Sequence, residues 1–214
     1  MSFDRRRTVF PLDVRRVGDV VAHASILRAT APGSLRRVIL VVAATQRELE
    51  VAAGAETLVC GIGPVEAAAA TALALGTRRP DALLHIGIAG ARGLPVASLV
   101  IGSESVYEDA RSALVPARLA PDAELVAAAR RALPEARVLP IGTSAQVGGT
   151  SACEVEAMEG FAVLRAAAIA GVPAVEVRAV SNEVDEQDRA RWRFDEALAE
   201  LADAVPRLLA ELAR

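Results

Sequence analysis

The sequence predicts an α/β protein whose mostly parallel sheet is covered on both faces by helices, and three observations carry that expectation. Short apolar runs, several rich in β-branched residues, alternate with Ala-rich helical segments from residue 38 onward. Hydrophobic residues make up 53% of the 214-residue chain, enough for one large core. Glycines follow several of the apolar runs, where an open parallel sheet receives its ligands. Strand–helix alternation favours parallel pairing because each crossover helix returns the chain to the same end of the sheet. Aromatics are only 3%, so the core has to be built from Ala, Val and Leu.

The first strand is read at "VILVVAA" (38–44) and the second at "TLVCGI" (57–62). "PVEAAAATALAL" (64–75) is a helix that opens with Pro64, whose missing N–H would be unpaired in a first turn anyway. "ALLHIGIAG" (82–90) and "SLVIGSESVYE" (98–108) are strands, "DAELVAAARRAL" (122–133) a helix, and "RVLPIGTS" (137–144) a strand. A buried helix runs from Phe161, and the strand that follows it ends in "VEVRAVSN" (175–182). "WRFDEALAELADAVPRLLAELA" (192–213) closes the chain as an amphipathic helix, expected to be kinked or restarted at Pro206. Residues 1–37 differ from all of this, with eight arginines and no clear periodicity, and are read as a flexible or loosely docked extension to a domain spanning 38–214.

Several functions are disfavoured. A net charge of −3 argues against a nucleic-acid binder. No apolar run approaches the roughly 18 residues that cross a bilayer, and "MSFDRRRTVF" lacks the apolar centre of a secretory leader. Cys60 and Cys153 form no CxxC and have no nearby histidine, so neither disulfide nor metal site is expected. A cytoplasmic protein without metal or cofactor is the reading that remains.

Polar residues at strand ends and at one helix head stand out against this apolar background. Glu48 follows the first strand, Glu159 stands at the head of the buried helix, and Arg178, Ser181 and Asn182 end the last strand. A glutamate is rarely buried without a partner, because removing its charge from water is costly. Taken singly, Glu48 and Glu159 also fit as solvated first-turn residues that favour a helix dipole. His85 reads as a satisfied core histidine, and Asp185 with Asp188 as a solvated acidic turn. "CGIGPVEAAAA" and "HIGIAGARG" carry glycines that permit positive φ and close backbone approach, but neither is a Walker loop or a dinucleotide fingerprint.

In their order, "AATQRELE", "GIGPVEAA", "HIGIAGA", "EAMEGFAVLRAA" and "VEVRAVSN" resemble the purine nucleoside phosphorylase/methylthioadenosine nucleosidase superfamily, and within it the futalosine hydrolase family most. The resemblance covers residue 38 to the C-terminus. It implies a single domain with a mixed, mostly parallel and partly closed twisted sheet flanked by helices, a purine nucleoside as small-molecule substrate, and a homodimer or larger homo-oligomer. It implies that Glu48 activates the attacking water and that Glu159 accepts hydrogen bonds from ribose hydroxyls. Asn182 faces purine N7 and the 6-substituent, as a catalytic residue alongside Glu48. Met158 packs beneath the ribose, Arg178 and Ser181 support the strand end, and Ala89, Gly90 and Val147 complete the binding positions. Trp192 falls where the family has an aromatic wall; packing at a helix start remains open for it.

Three departures bear on the chemistry. "GIAGA" places Ile88 where a phosphate-contacting hydroxyl would stand, which favours water over phosphate as nucleophile. Asn182 replaces the aspartate of adenine-specific nucleosidases; its amide suits a 6-oxo base, while a flipped amide would still accept adenine. The segments 110–121 and 148–154 are shorter than in relatives, and Gln146 with Val147 marks what is left of one wall. Among enzymes the alternative is a nucleosidase acting on methylthioadenosine, adenosylhomocysteine or aminofutalosine, or a purine nucleoside phosphorylase; a catalytically silent nucleoside-binding protein is the alternative of another class.

Overall fold

The computed structural model describes residues 37–147 and 153–214; the expected Arg-rich extension therefore lies outside the described residues, Arg37 excepted. The strands are β1 (Ile39–Ala43), β2 (Glu56–Val59), β3 (Ala82–Ala91), β4 (Leu99–Tyr107), β5 (Arg118–Leu119), β6 (Arg137–Thr143), β7 (Val155–Ala157) and β8 (Ala174–Glu183). The helices are α1 (Gln46–Leu49), α2 (Pro64–Thr77), α3 (Ala123–Ala132), α4 (Gly160–Ala170) and α5 (Phe194–Leu212).

The strands form one mixed sheet in the order β2-β1-β3-β7-β6-β4-β5. β8 lies off that path, parallel to β3 along its length and antiparallel to the start of β4. Parallel pairs dominate, as the alternation of elements requires, and β7 and β5 supply further antiparallel contacts.

Side chains alternate across the pleat, and the two faces bury different sets. On one face Ile39, Val41, Leu84, Ile86, Val175 and Val177 pack against α3 and α5. On the other, Leu40, Val42 and Leu83 pack against Ala67 and Leu75 of α2 and against Ala162–Ala167 of α4. Small side chains let α2 and α4 approach closely, which is how so aromatic-poor a chain makes a dense core.

α5 runs from Phe194 to Leu212 through Pro206, so the helix does not restart at the proline. Pro206 cannot donate to the Ala202 carbonyl, but both residues are exposed, on the face of the helix away from the core. Leu201, Ala204, Val205 and Leu208 on the opposite face are buried and hold the helix to the sheet. β7 and β5 were not anticipated, each being too short to show a period of two.

Candidate active site

Glu48 is held on three sides. Thr45 caps the short helix α1, and Glu48 Oε2 accepts from Thr45 N at 2.9 Å and Thr45 Oγ1 at 2.8 Å. Its Oε1 accepts from Ile88 N at 3.2 Å, so the "GIAGA" backbone fixes the carboxylate. A carboxylate oxygen has two acceptor positions, which leaves Oε1 capacity for one more donor. Glu48 is buried rather than solvated. Gly87, at φ 157°, makes room for it: a Cβ there would lie 2.7 Å from Glu48 Oε1 and collide with Arg178 Nη1.

Glu159 occupies the N-cap position of α4 yet makes no capping hydrogen bond. The helix start is served instead by Thr143, whose Oγ1 accepts from Phe161 N at 2.8 Å. Glu159 is thereby released for other partners. Its Oε1 accepts from Gly63 N at 3.1 Å, and its Oε2 lies 3.6 Å from Arg178 Nη2. Gly63 presents that N–H from φ 92°, a conformation costly for any residue with a Cβ. Burial raises the Glu159 carboxyl above its ordinary value, and Arg178 and the Gly63 N–H act against that rise.

Arg178 lies beneath the site rather than in it. It is 1% exposed, donates Nε to Glu176 Oε1 at 2.8 Å, and places Nη2 3.2 Å from His85. Burial works against its charge, but Glu176, Glu159 and Glu48 together raise its pKa and keep it a cation. His85, fully buried, is pushed well below its ordinary value by burial and then by Arg178, so it is the neutral core histidine that was expected. Burial raises Glu176 as well.

A β-bulge turns the last strand toward the site. Ala89 pairs with Val180 but Gly90 with Asn182, so Ser181 is the extra residue. Ser181 Oγ donates to Asn182 Oδ1 at 2.7 Å, and Asn182 Nδ2 donates to the Glu183 carbonyl at 2.8 Å. That pair of bonds fixes the amide orientation and leaves the second Nδ2 hydrogen for a ligand.

Glu48, Glu159 and Asn182 all line one cleft of about 380 Å³, together with Ala89, Gly90, Val147, Met158, Ser181 and Trp192. Gln146 lines it as well. Trp192 is half-buried, donates Nε1 to the Glu186 carbonyl at 2.9 Å, and packs on Phe194 with ring centroids 5.5 Å apart. Arg47, Ile62, Glu156 and Phe194 also line the cleft and were not singled out in the sequence. Glu156 carried a usable signal, a glutamate between apolar neighbours, in a run Val155–Ala157 that is a buried strand.

The Phosphorylase superfamily model matches residues 56–214. A futalosine hydrolase of Streptomyces coelicolor is 40% identical over 185 residues, covering 72% of this chain and 78% of that protein. A 5′-methylthioadenosine/S-adenosylhomocysteine nucleosidase of Neisseria meningitidis, solved with methylthio-immucillin-A, superposes with a TM-score of 0.68 at 26% identity over 81% of this chain and 97% of its own. A futalosine hydrolase mutant of Helicobacter pylori has the same fold, with a TM-score of 0.74 at 18% identity over 81% and 99% of the two chains. A family model spanning most of the chain, a relative of this identity and the shared fold agree: the chain belongs to the phosphorylase superfamily.

Proposed function

We propose that the protein is a purine nucleoside N-glycosidase that hydrolyses futalosine to hypoxanthine and dehypoxanthine futalosine, a step of menaquinone biosynthesis. One observation carries the reading: Glu48, Glu159 and Asn182, far apart in sequence, line a single cleft. The 40% identity to a futalosine hydrolase supports the choice of nucleoside.

Breaking the bond between C1′ and the purine builds positive charge on the ribose and negative charge on the departing base. Glu159 accepts from the ribose hydroxyls, and its anionic charge, itself buried, stabilises the cationic sugar. Glu48 Oε1 orients a water and takes its proton as the oxygen bonds to C1′. Asn182 donates its remaining N–H to the base, stabilising the charge that leaves with it until the purine is protonated. Ile88 offers a backbone N–H to Glu48 and no side-chain hydroxyl for a phosphate, in keeping with water as the nucleophile.

Incubation with futalosine, inosine and methylthioadenosine, with and without phosphate, tests the reading by base release. Phosphate-independent release of hypoxanthine from futalosine is expected. Absolute dependence on phosphate, preference for methylthioadenosine, or no base from any nucleoside would overturn it. Glu48→Gln is expected to lower turnover by about 10²–10⁴-fold, the range of a lost general base, with an unchanged circular dichroism spectrum.

Cytoplasmic residence belongs to the same reading; no helix of the described residues is long and apolar enough to cross a membrane. Self-association is proposed through α2, where Val65 and Leu73 are more than three-quarters exposed beside Ile62 of the cleft. Native mass spectrometry showing only monomer at micromolar concentration would remove that part.

A further inference from the structure

We propose that Arg189, beside the aromatic pair Trp192 and Phe194, selects nucleosides whose 5′ arm carries an aryl carboxylate. This deepens the nucleosidase reading above and rests on it.

Strand order separates the two ends of the cleft. Asn182 and Gly90 stand on β8 and β3, whereas Ile62 follows β2 and Arg47 follows β1, on the other side of β3 in the sheet. Glu159 is tied to that second side, accepting from Gly63 N at 3.1 Å. With the base at Asn182 and the ribose at Glu159, the 5′ arm of the sugar leaves toward Ile62 and Arg47.

Cations and rings alternate along the wall that meets this end. Arg47 lies 5.8 Å from the centre of the Phe194 ring, Phe194 lies 5.5 Å from Trp192, and Arg189 lies 5.4 Å from the centre of Trp192. All four residues line the cleft. Trp192 is fixed there: its Nε1 donates to the Glu186 carbonyl at 2.9 Å, and the N–H of Arg193 beside it donates to the Ser181 carbonyl at 2.8 Å. Arg189 opens a short turn held by Asp188, whose Oδ1 accepts from Ala190 N at 3.0 Å.

The cations of this wall are not equivalent. Arg47 is bound to Asp195, and Arg191, on the same turn as Arg189, is bound to Glu186 and Asp188. Arg189 has no acidic partner among the described residues, and its guanidinium lies over the indole. A guanidinium packed on a ring keeps its edge N–H groups, a planar fork that matches a carboxylate. The rings beside it take the flat apolar part of an aryl arm by offset or edge-to-face packing. A neutral thioether arm would cover the rings and leave the cation unanswered, whereas an aryl carboxylate answers both.

The test compares futalosine, whose 5′ arm ends in a benzoate, with its neutral carboxamide, as the ratio of kcat/KM in the full-length protein. The wild type is expected to prefer the acid by about 10-fold, between the worth of an exposed ion pair and that of a charge-assisted hydrogen bond. Arg189→Met is expected to abolish the preference, and Arg189→Lys to keep part of it. Arg191→Met removes a paired cation that does not line the cleft and is expected to leave the ratio unchanged. Raising NaCl from about 0.05 M to about 0.5 M is expected to narrow the wild-type ratio, because Arg189 is exposed and its charge is screened. Equal use of acid and carboxamide by the wild type would overturn the inference. So would an equal loss for both in Arg189→Met, the mark of a merely structural residue, or a ratio that falls as far in Arg191→Met. If the wild type releases base from neither compound, the nucleosidase reading fails. Titration of the two compounds by quenching of Trp192, the one tryptophan of the chain, then still decides the role of Arg189. Tighter binding of the acid that is lost in Arg189→Met would support it, and equal affinities would overturn it.

Discussion

Arg178 Nε donates to Glu176 Oε1 at 2.8 Å in surroundings that leave neither residue more than 1% exposed. The same guanidinium lies 3.6 Å from Glu159 and 3.4 Å from the Ile88 carbonyl, so one cation underlies both Glu159 and the stretch of β3 that holds Glu48. Removing one member of a buried pair leaves the other charged and unsolvated, typically at a cost of about 3–5 kcal/mol. Arg178→Met is therefore expected to lower the unfolding free energy measured by urea titration by an amount in that range. The double variant Glu176→Leu/Arg178→Met is expected to lose less than Arg178→Met alone. A double variant as unstable as the sum of the two singles would show that the pair is not coupled.

His85 makes stability depend on pH. Its ring faces Arg178 Nη2 at 3.2 Å and Glu176 Oε1 at 3.9 Å, and its folded pKa lies well below 6.5. Below pH 6.5 the unfolded chain binds a proton there that the folded chain does not. The stability His85 contributes is thus present above 6.5 and lost as pH falls, by up to about 1.4 kcal/mol per pH unit. Glu159 and Glu176, both raised, act with the opposite sign: their contribution is present below about 4.5 and lost as pH rises through their folded values. Comparing wild type with His85→Gln between pH 5 and 7.5 separates the two effects. The wild type is expected to lose stability relative to the variant as pH falls; parallel curves would contradict a neutral His85.

Gly87→Ala should damage the site from below. The added methyl would meet Glu48 Oε1 at 2.7 Å and crowd the Arg178 guanidinium, displacing the carboxylate proposed to activate water. Misplacing a catalytic group by about 1 Å costs on the order of 10²-fold in rate. Turnover of futalosine is expected to fall by that order with the fold retained, and an unchanged kcat would mean that Glu48 tolerates the shift.

Pro206→Ala should stabilise the protein. The substitution restores a donor for the Ala202 carbonyl inside α5 without touching its buried face. Propensity favours Ala over Pro in a helix interior by about 3 kcal/mol, of which the lost rigidity of the unfolded chain returns a part. A rise in Tm is expected, and a fall would mean that the proline is needed for curvature.

The sequence was most readable where pattern and burial coincide. Apolar runs placed β1, β3, β4, β6 and β8 to within a residue or two, because strands buried on both faces are continuous hydrophobic stretches. Glu48, Glu159 and Asn182 were visible as polar residues in apolar surroundings, and the structure gathers them into one cleft. Arg178 was visible too, but its place beneath the cleft depends on Glu176 and His85, partners brought to it by β8 itself and by β3. Glu156 escaped notice because its position follows from pairing between β7 and β3, strands more than 60 residues apart. The bulge at Ser181 was equally hidden, since an extra residue in a ladder leaves no mark on hydropathy.

Thr143, on β6, supplies the oxygen that the first turn of α4 requires, and Glu159 takes no part in that duty. Helix initiation and the proposed recognition of the sugar therefore fall to different residues. Glu159 can be exchanged for glutamine, or lost in the course of evolution, without fraying the helix that bears it. A descendant of this scaffold could abandon catalysis and remain a well-folded binder of nucleosides.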